Sequence, residues 1–387
     1  MIITPTFTAN FDTNFGANAA AAKATWAAAA QVFTSHFSDN ININITVDAV
    51  AGTNVFGRSN APLLSISYSE LLTLVSTSAK TLNDQISIGS GGSMGAADPT
   101  NGTGTWWLTR SQAKALGYIP DDMTEDGVTT FGAGNPFTFS GGITAGTYDF
   151  RGIAAHEISE VMGRLGLSGG KVDGTDNSFS LIDNFSYTGP GTRGLRGGPG
   201  NNFSIDNGTT LLKLWNDPTV NDLDSRDWAP GTDDAFNQFS NSGVVNGVSA
   251  VDLQLMDVIG YTLKVGLLVT AQGGDIALVR QTPGWGSIPV AFSNGDGTWN
   301  ITNGPAGPDF IPSWANQPGV RIVAGDFNGN GLTDIALVRQ TPGWGSIPVA
   351  FSNGDGTWNI TNGPAGPDFI PSWANQPGVQ LVTGKFH

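Results

Sequence analysis

Residues 275–320 recur letter for letter as residues 334–379, 59 positions further along the chain. Such fidelity leaves few architectures open, because each copy must build the same small unit and bury its apolar face against a neighbour. A period near 60 with several short strands per copy has the size of one propeller blade. Apolar runs between turn signals predict strands over 276–280, 287–292 and 299–302, with another over 320–324 leading into the second copy. The run Ser293-Asn294-Gly295-Asp296-Gly297 predicts a tight hairpin.

Between the copies, Asp326, Asn328, Asn330 and Asp334 place side-chain oxygens at positions 1, 3, 5 and 9 of a loop whose sixth residue is Gly331. That spacing wraps a hard cation, with the Leu332 carbonyl as a further donor, so calcium is expected; an Asn/Gly-rich turn without metal is the alternative. One period earlier only Asp275 of the four donors remains, and Lys385 stands where Asp326 would recur. The segment resembles the FG-GAP or VCBS propeller repeats over roughly 266–387. The resemblance implies that residues 265–387 are two all-β propeller blades used for surface or substrate attachment. A propeller needs about four to eight blades, so either a truncated array or a homo-oligomer that pools blades is expected. Trp285, Phe292, Trp299, Phe310 and Trp314 suit a blade core, and stacking on a glycan is the other use open to them.

The remaining 1–264 is a separate region. The chain of 387 residues carries a net charge of −15 with only 13% charged residues, which argues against a basic nucleic-acid-binding face. It has no cysteine, so disulfides, thiolate metal sites and Cys nucleophiles are excluded, and imidazole can come only from His36, His156 and His387. No apolar run is long enough for a membrane span. The acidic, Gly- and Asp-rich composition suits a calcium-rich exterior, so an extracellular or secreted protein without a recognisable signal peptide is expected. Periodicity predicts a helix over 17–37, an edge-type strand over 41–47, and helices over 67–78 and 109–116. Ser249 and Asp252 form a capping box for a closing helix over 249–261.

The chemistry is concentrated in 148–164. On a helix His156 and Glu160 are i and i+4, so they share a face and can hold one metal ion, with Glu157 beside them as a general base. Alternatively, Glu160 pairs with Arg164, also i and i+4, and the histidine is structural. His156, Glu157 and Gly163 match the H-E-x-x-H-x-x-G-x-x-H pattern of the metzincin zinc proteases. Glu160 replaces the second His of that pattern, and Gly166 stands at the third. The resemblance covers about residues 5–262 and implies a metzincin-like α+β domain holding zinc. Asp183 is the expected third ligand, presented by the strand-like Ser180-Leu181-Ile182, with Asp173, Asp176 and Tyr187 as rivals. Asp217, Asp222, Asp224 and Asp227 read as a solvated acidic loop or a second calcium site. The expectation is a secreted metalloendopeptidase acting on protein or peptide substrates. The alternative is a non-catalytic adhesion or carbohydrate-binding protein on a degenerate protease scaffold.

Overall fold

Alternating apolar residues Ile43, Ile45, Val47 and Ala49 give the strand Asn42–Val50, whose burial alternates along its whole length. The computed structural model, which describes residues 1–139, 142–221, 224–231, 233–264, 275–293, 299–328, 332–366, 368–370, 372–376 and 379, places this strand inside a four-stranded sheet. Ile2–Phe7 and Gly127–Gly132 flank it in parallel, and Gly57–Asn60 closes the far edge antiparallel to Gly127–Gly132. The strand expected at an edge is therefore internal. Alternation reports one buried face and carries no information about neighbours within the sheet.

Parallel strands need a crossover, and Ile2–Phe7 reaches Asn42–Val50 through the helices Ala9–Phe15 and Ala19–His36. The second helix buries Ala22, Trp26, Ala29 and Phe33 along one stripe, and it packs against the helix Phe150–Val161. Asp149 caps Phe150–Val161, accepting a hydrogen bond from the Arg151 amide at 3.0 Å. The Phe150 ring is surrounded by Phe15, Phe131, Phe137 and Phe139, at centroid distances of 5.7, 4.9, 5.1 and 5.1 Å. The other expected helices appear as Tyr68–Ser78, Arg110–Ala115 and Ala250–Val258, each started by the Ser or Thr cap in front of it. Two further four-stranded sheets and a two-stranded pair of Phe137–Thr138 with Tyr148–Asp149 complete this mixed α and β unit, Met1–Gln272.

The second compact unit, Gly273–His387, holds the repeats. Ile276–Ala277, Ser287–Ser293 and Trp299–Pro305 form a three-stranded antiparallel sheet. Val320–Gly325, Asp334–Arg339, Ser346–Ser352 and Trp358–Pro364 form a four-stranded one, each strand paired with the next in sequence. The described residues contain no closed propeller. The hairpin expected at 293–297 lies largely outside the described residues, but its twin closes through the Asn353 amide donating to the Thr357 carbonyl at 3.2 Å.

Truncating Phe150 removes the ring on which four others pack at the start of the helix. Phe150→Ala is expected to cost about 3–5 kcal/mol, measured by denaturant unfolding with near-ultraviolet circular dichroism as the probe.

Candidate metal centre

His156 and Glu160 sit one turn apart on Phe150–Val161, so their side chains leave the same face. His156 Nδ1 lies 2.9 Å from the Ala235 carbonyl and, as a carbonyl only accepts, carries the ring proton there. That leaves Nε2 as the nitrogen free to face a ligand, 3.3 Å from Glu160 Oε1 and 3.6 Å from Asp227 Oδ1. The ligand atoms of His156, Glu160 and Asp227 all lie within 4.8 Å of one another. A histidine fixed through one nitrogen by a backbone carbonyl, with the other facing two carboxylates, has the arrangement of an oriented metal ligand.

The same carboxylates meet a buried cation. The helix stops after Val161, and Gly163 takes φ +104°, a conformation open to glycine, which reverses the chain. Arg164 is thereby folded back beneath its own helix, its amide donating to the Ser159 carbonyl at 3.0 Å. Its guanidinium, fully buried, donates to Asp227, lies 3.4 Å from Glu160 Oε1, and donates from Nε to Ser159 Oγ at 2.7 Å. Two residues further on, a Cβ at Gly166 would meet Arg226 Cγ at 2.2 Å. The place where the resemblance calls for a third histidine is thus occupied by the Arg226 stem.

Charge balance follows from these contacts. Burial and the Arg164 charge oppose protonation of His156, but Asp227 and Glu160 outweigh them and hold its pKa up at about 9. Burial alone would lift the Glu160 carboxyl; His156 and Arg164 overcome it and draw the value down to about 2. The four groups form a neutral set, and a divalent cation entering it takes the place of the imidazolium proton.

Glu157 differs from its neighbours. It is buried, and its Oε2 has no hydrogen-bond partner among the described residues. Burial first, then the Glu160 charge, push its carboxyl well above the ordinary range. With His156 it lines a cavity of about 340 Å³ whose walls also include Phe56, Tyr148, Ala235 and Phe239.

Asp183, expected as third ligand, is placed elsewhere. Its carboxylate is fully buried and accepts from Arg226 Nε at 2.9 Å, the Ser180 amide at 2.8 Å and the Ser168 amide at 3.0 Å. Asp173 and Asp176 are exposed, Asp176 beside Lys171 at 3.4 Å, and Tyr187 is buried under Arg193. Of the acidic loop, Asp222 lies outside the described residues, Asp217 accepts from the Thr219 amide, and Asp227 is buried in the centre. Burial and Asp227 lift Asp224 to about 8. No local pattern marked Asp227; the one available signal was the acidic loop itself.

In the second unit, Asp334 is buried and accepts from the Phe327 amide through one oxygen and the Ser352 amide through the other, both at 2.9 Å. Asp275, the donor kept one period earlier, accepts from the Ser293 amide at 2.9 Å in the same way. This aspartate thus ties its loop to the following hairpin in both copies. Asn330 lies outside the described residues, while Asp326, Asn328 and Leu332 lie within them.

Protein dialysed against traces of zinc and calcium and analysed by plasma mass spectrometry is expected to retain one ion that His156→Ala and Asp227→Asn each lose. Asp183→Asn is expected to keep that ion while losing about 3–5 kcal/mol of stability, because Arg226 is left buried without its carboxylate. Compared with known proteins, the chain matches no family model, no curated protein and no solved structure.

Proposed function

We propose that the first unit is a metal-dependent endopeptidase in which His156, Glu160 and Asp227 hold the ion and Glu157 is the general base. The observation that carries this reading is the convergence of the three donors on one point, with one of them, His156, lining a cavity together with Glu157, whose buried Oε2 has no hydrogen-bond partner among the described residues. A bound divalent ion supplies Lewis acidity and lowers the pKa of water.

Each residue then has a distinct part. Ala235 holds His156 in the tautomer that offers Nε2, and Ser59 Oγ, donating to Glu160 Oε2 at 2.7 Å, holds that carboxylate in place. Glu157, ionised when the positive charge of the ion offsets the burial that raises its pKa, accepts a proton from the attacking water as the new C–O bond forms. It passes that proton to the amine nitrogen as the peptide C–N bond breaks, once the C–O bond to the water oxygen is in place. Gly57 lines the cavity and belongs to Gly57–Asn60, the outermost strand of its sheet, along which an extended peptide can add as a further strand. The phenyl groups of Phe56 and Phe239 give the cavity an apolar wall suited to a side chain of such a peptide. Zinc is the ion the resemblance implies; one imidazole with two carboxylates is a harder set that also suits other divalent ions.

Calcium held by Asp326, Asn328, Asn330, Asp334 and the Leu332 carbonyl would brace the second unit, in keeping with an extracellular setting. No helix among the described residues is long and apolar enough to cross a membrane.

A specific observation favours the second reading, a non-catalytic protein on the same scaffold: Arg164 is already paired with both carboxylates. The two are separated by Glu157→Gln. In the enzyme this substitution keeps the ion and lowers cleavage of an unstructured protein substrate by about 100-fold or more, the scale of a lost general base. Metal-dependent cleavage that survives the substitution removes Glu157 from its role. No cleavage by the parent, with glycan binding that persists in His156→Ala, establishes the non-catalytic reading.

A further inference from the structure

The two copies of the repeat are identical over 275–320 and 334–379, yet their central strands bury opposite faces. In Ser287–Ser293, Ile288 and Val290 are buried, and Pro289 and Ala291 are half-buried. In Ser346–Ser352 the pattern is inverted: Pro348 and Ala350 are buried, and Ile347 and Val349 half-buried. Successive residues of a strand point to opposite sides of its sheet. The first copy therefore presents one face to its twin, and the twin answers with the other. A single apolar cluster joins Ile288, Val290 and Phe310 of the first copy to Ile335, Leu337 and Ala350 of the second.

In the second copy the opposite face is closed in part by Val338, Ile370 and Ala374, yet each kind of face leaves a large apolar side chain open in one copy alone. Ile335 and Leu337 are 4% and 0% exposed, whereas their counterparts Ile276 and Leu278 are 50% and 51% exposed. Phe310 is 0% exposed and its counterpart Phe369 48%. The open face of the first copy has the sequence of the one that the second copy seats on its twin. The open face of the second copy has the sequence of the one that receives it.

We propose that chains associate head to tail, the first copy of one docking through Ile276 and Leu278 onto the Phe369 face of the second copy of another. The contact inside each chain is the template, so the occupant of either face is a second copy of this chain. Such a contact is heterologous. It does not use up both faces of a pair, and it adds chains until a ring closes or a filament extends.

The test uses the full chain at physiological salt, with mass read by light scattering or sedimentation over a concentration series. The parent is expected to rise above the mass of one chain as concentration increases. Leu278→Glu and Phe369→Glu change exposed residues, so both should fold, as circular dichroism would verify, and each alone should stay at one chain. Mixed in equal amounts, the variants should form a species of two chains, because each keeps the face that the other has lost. A parent that stays at one chain, an assembly that either variant leaves intact, or a mixture that fails to pair overturns the proposal.

Discussion

A guanidinium removed from water must be enclosed by acceptors, because an unpaired buried charge costs several kcal/mol. Arg164 meets that demand with Ser159, Glu160 and Asp227, and it lies over the Phe236 ring at 4.6 Å. The candidate centre depends on this enclosure. Glu160 belongs to the helix and Asp227 to a segment far along the chain, and the guanidinium lies against both. The segment is secured from behind by the Trp215 and Trp228 rings, stacked at 4.2 Å, and by the Asn216 amide donating to the Asp227 carbonyl at 2.8 Å. His156 therefore faces a carboxylate pair whose position is already set by the protein.

Arg226 and Asp227 show why one part of this centre was legible in the sequence and another was not. The adjacent side chains serve two separate buried networks: Arg226 pairs with Asp183, and Asp227 pairs with Arg164. The helical spacing of His156, Glu157 and Glu160 is local geometry, and a 3.6-residue period fixes it without reference to the rest of the chain. The third acidic group is fixed by which buried arginine each distant carboxylate meets. Asp183 has the strand-like lead expected of a presented ligand, but its cap position at Ser180 and the Arg226 charge claim its oxygens. Asp227 sits in an acidic run that reads as solvated, and becomes buried only through long-range packing.

The repeats set a similar limit from the other side. Their strands and capped turns follow from alternation and turn residues, and most appear near the expected positions. Yet identical letters give a two-residue strand at Ile276–Ala277 and a six-residue strand at Asp334–Arg339. The longer strand has Val320–Gly325 paired along its whole length on one side. Strand length and buried face are here properties of what lies alongside, and no reading of a single copy contains them.

The two readings of the first unit reduce to a competition for the same pair of carboxylates. A metal-free centre is neutral because Arg164 and a protonated His156 together offset Glu160 and Asp227. A divalent ion can displace only the imidazole proton, since the guanidinium does not give up its own, so the ion must bind beside a fixed positive charge. That repulsion weakens binding, but the donors need no rearrangement to receive the ion, which removes the ordering cost that a floppy site would carry. Glu157 has a part in only one of these states. In the metal-free network it is a buried carboxyl with an unpartnered oxygen, a burden that packing alone does not repay. In the proposed enzyme, the positive charge of the ion offsets that burial and leaves Glu157 ionised to take a proton from water.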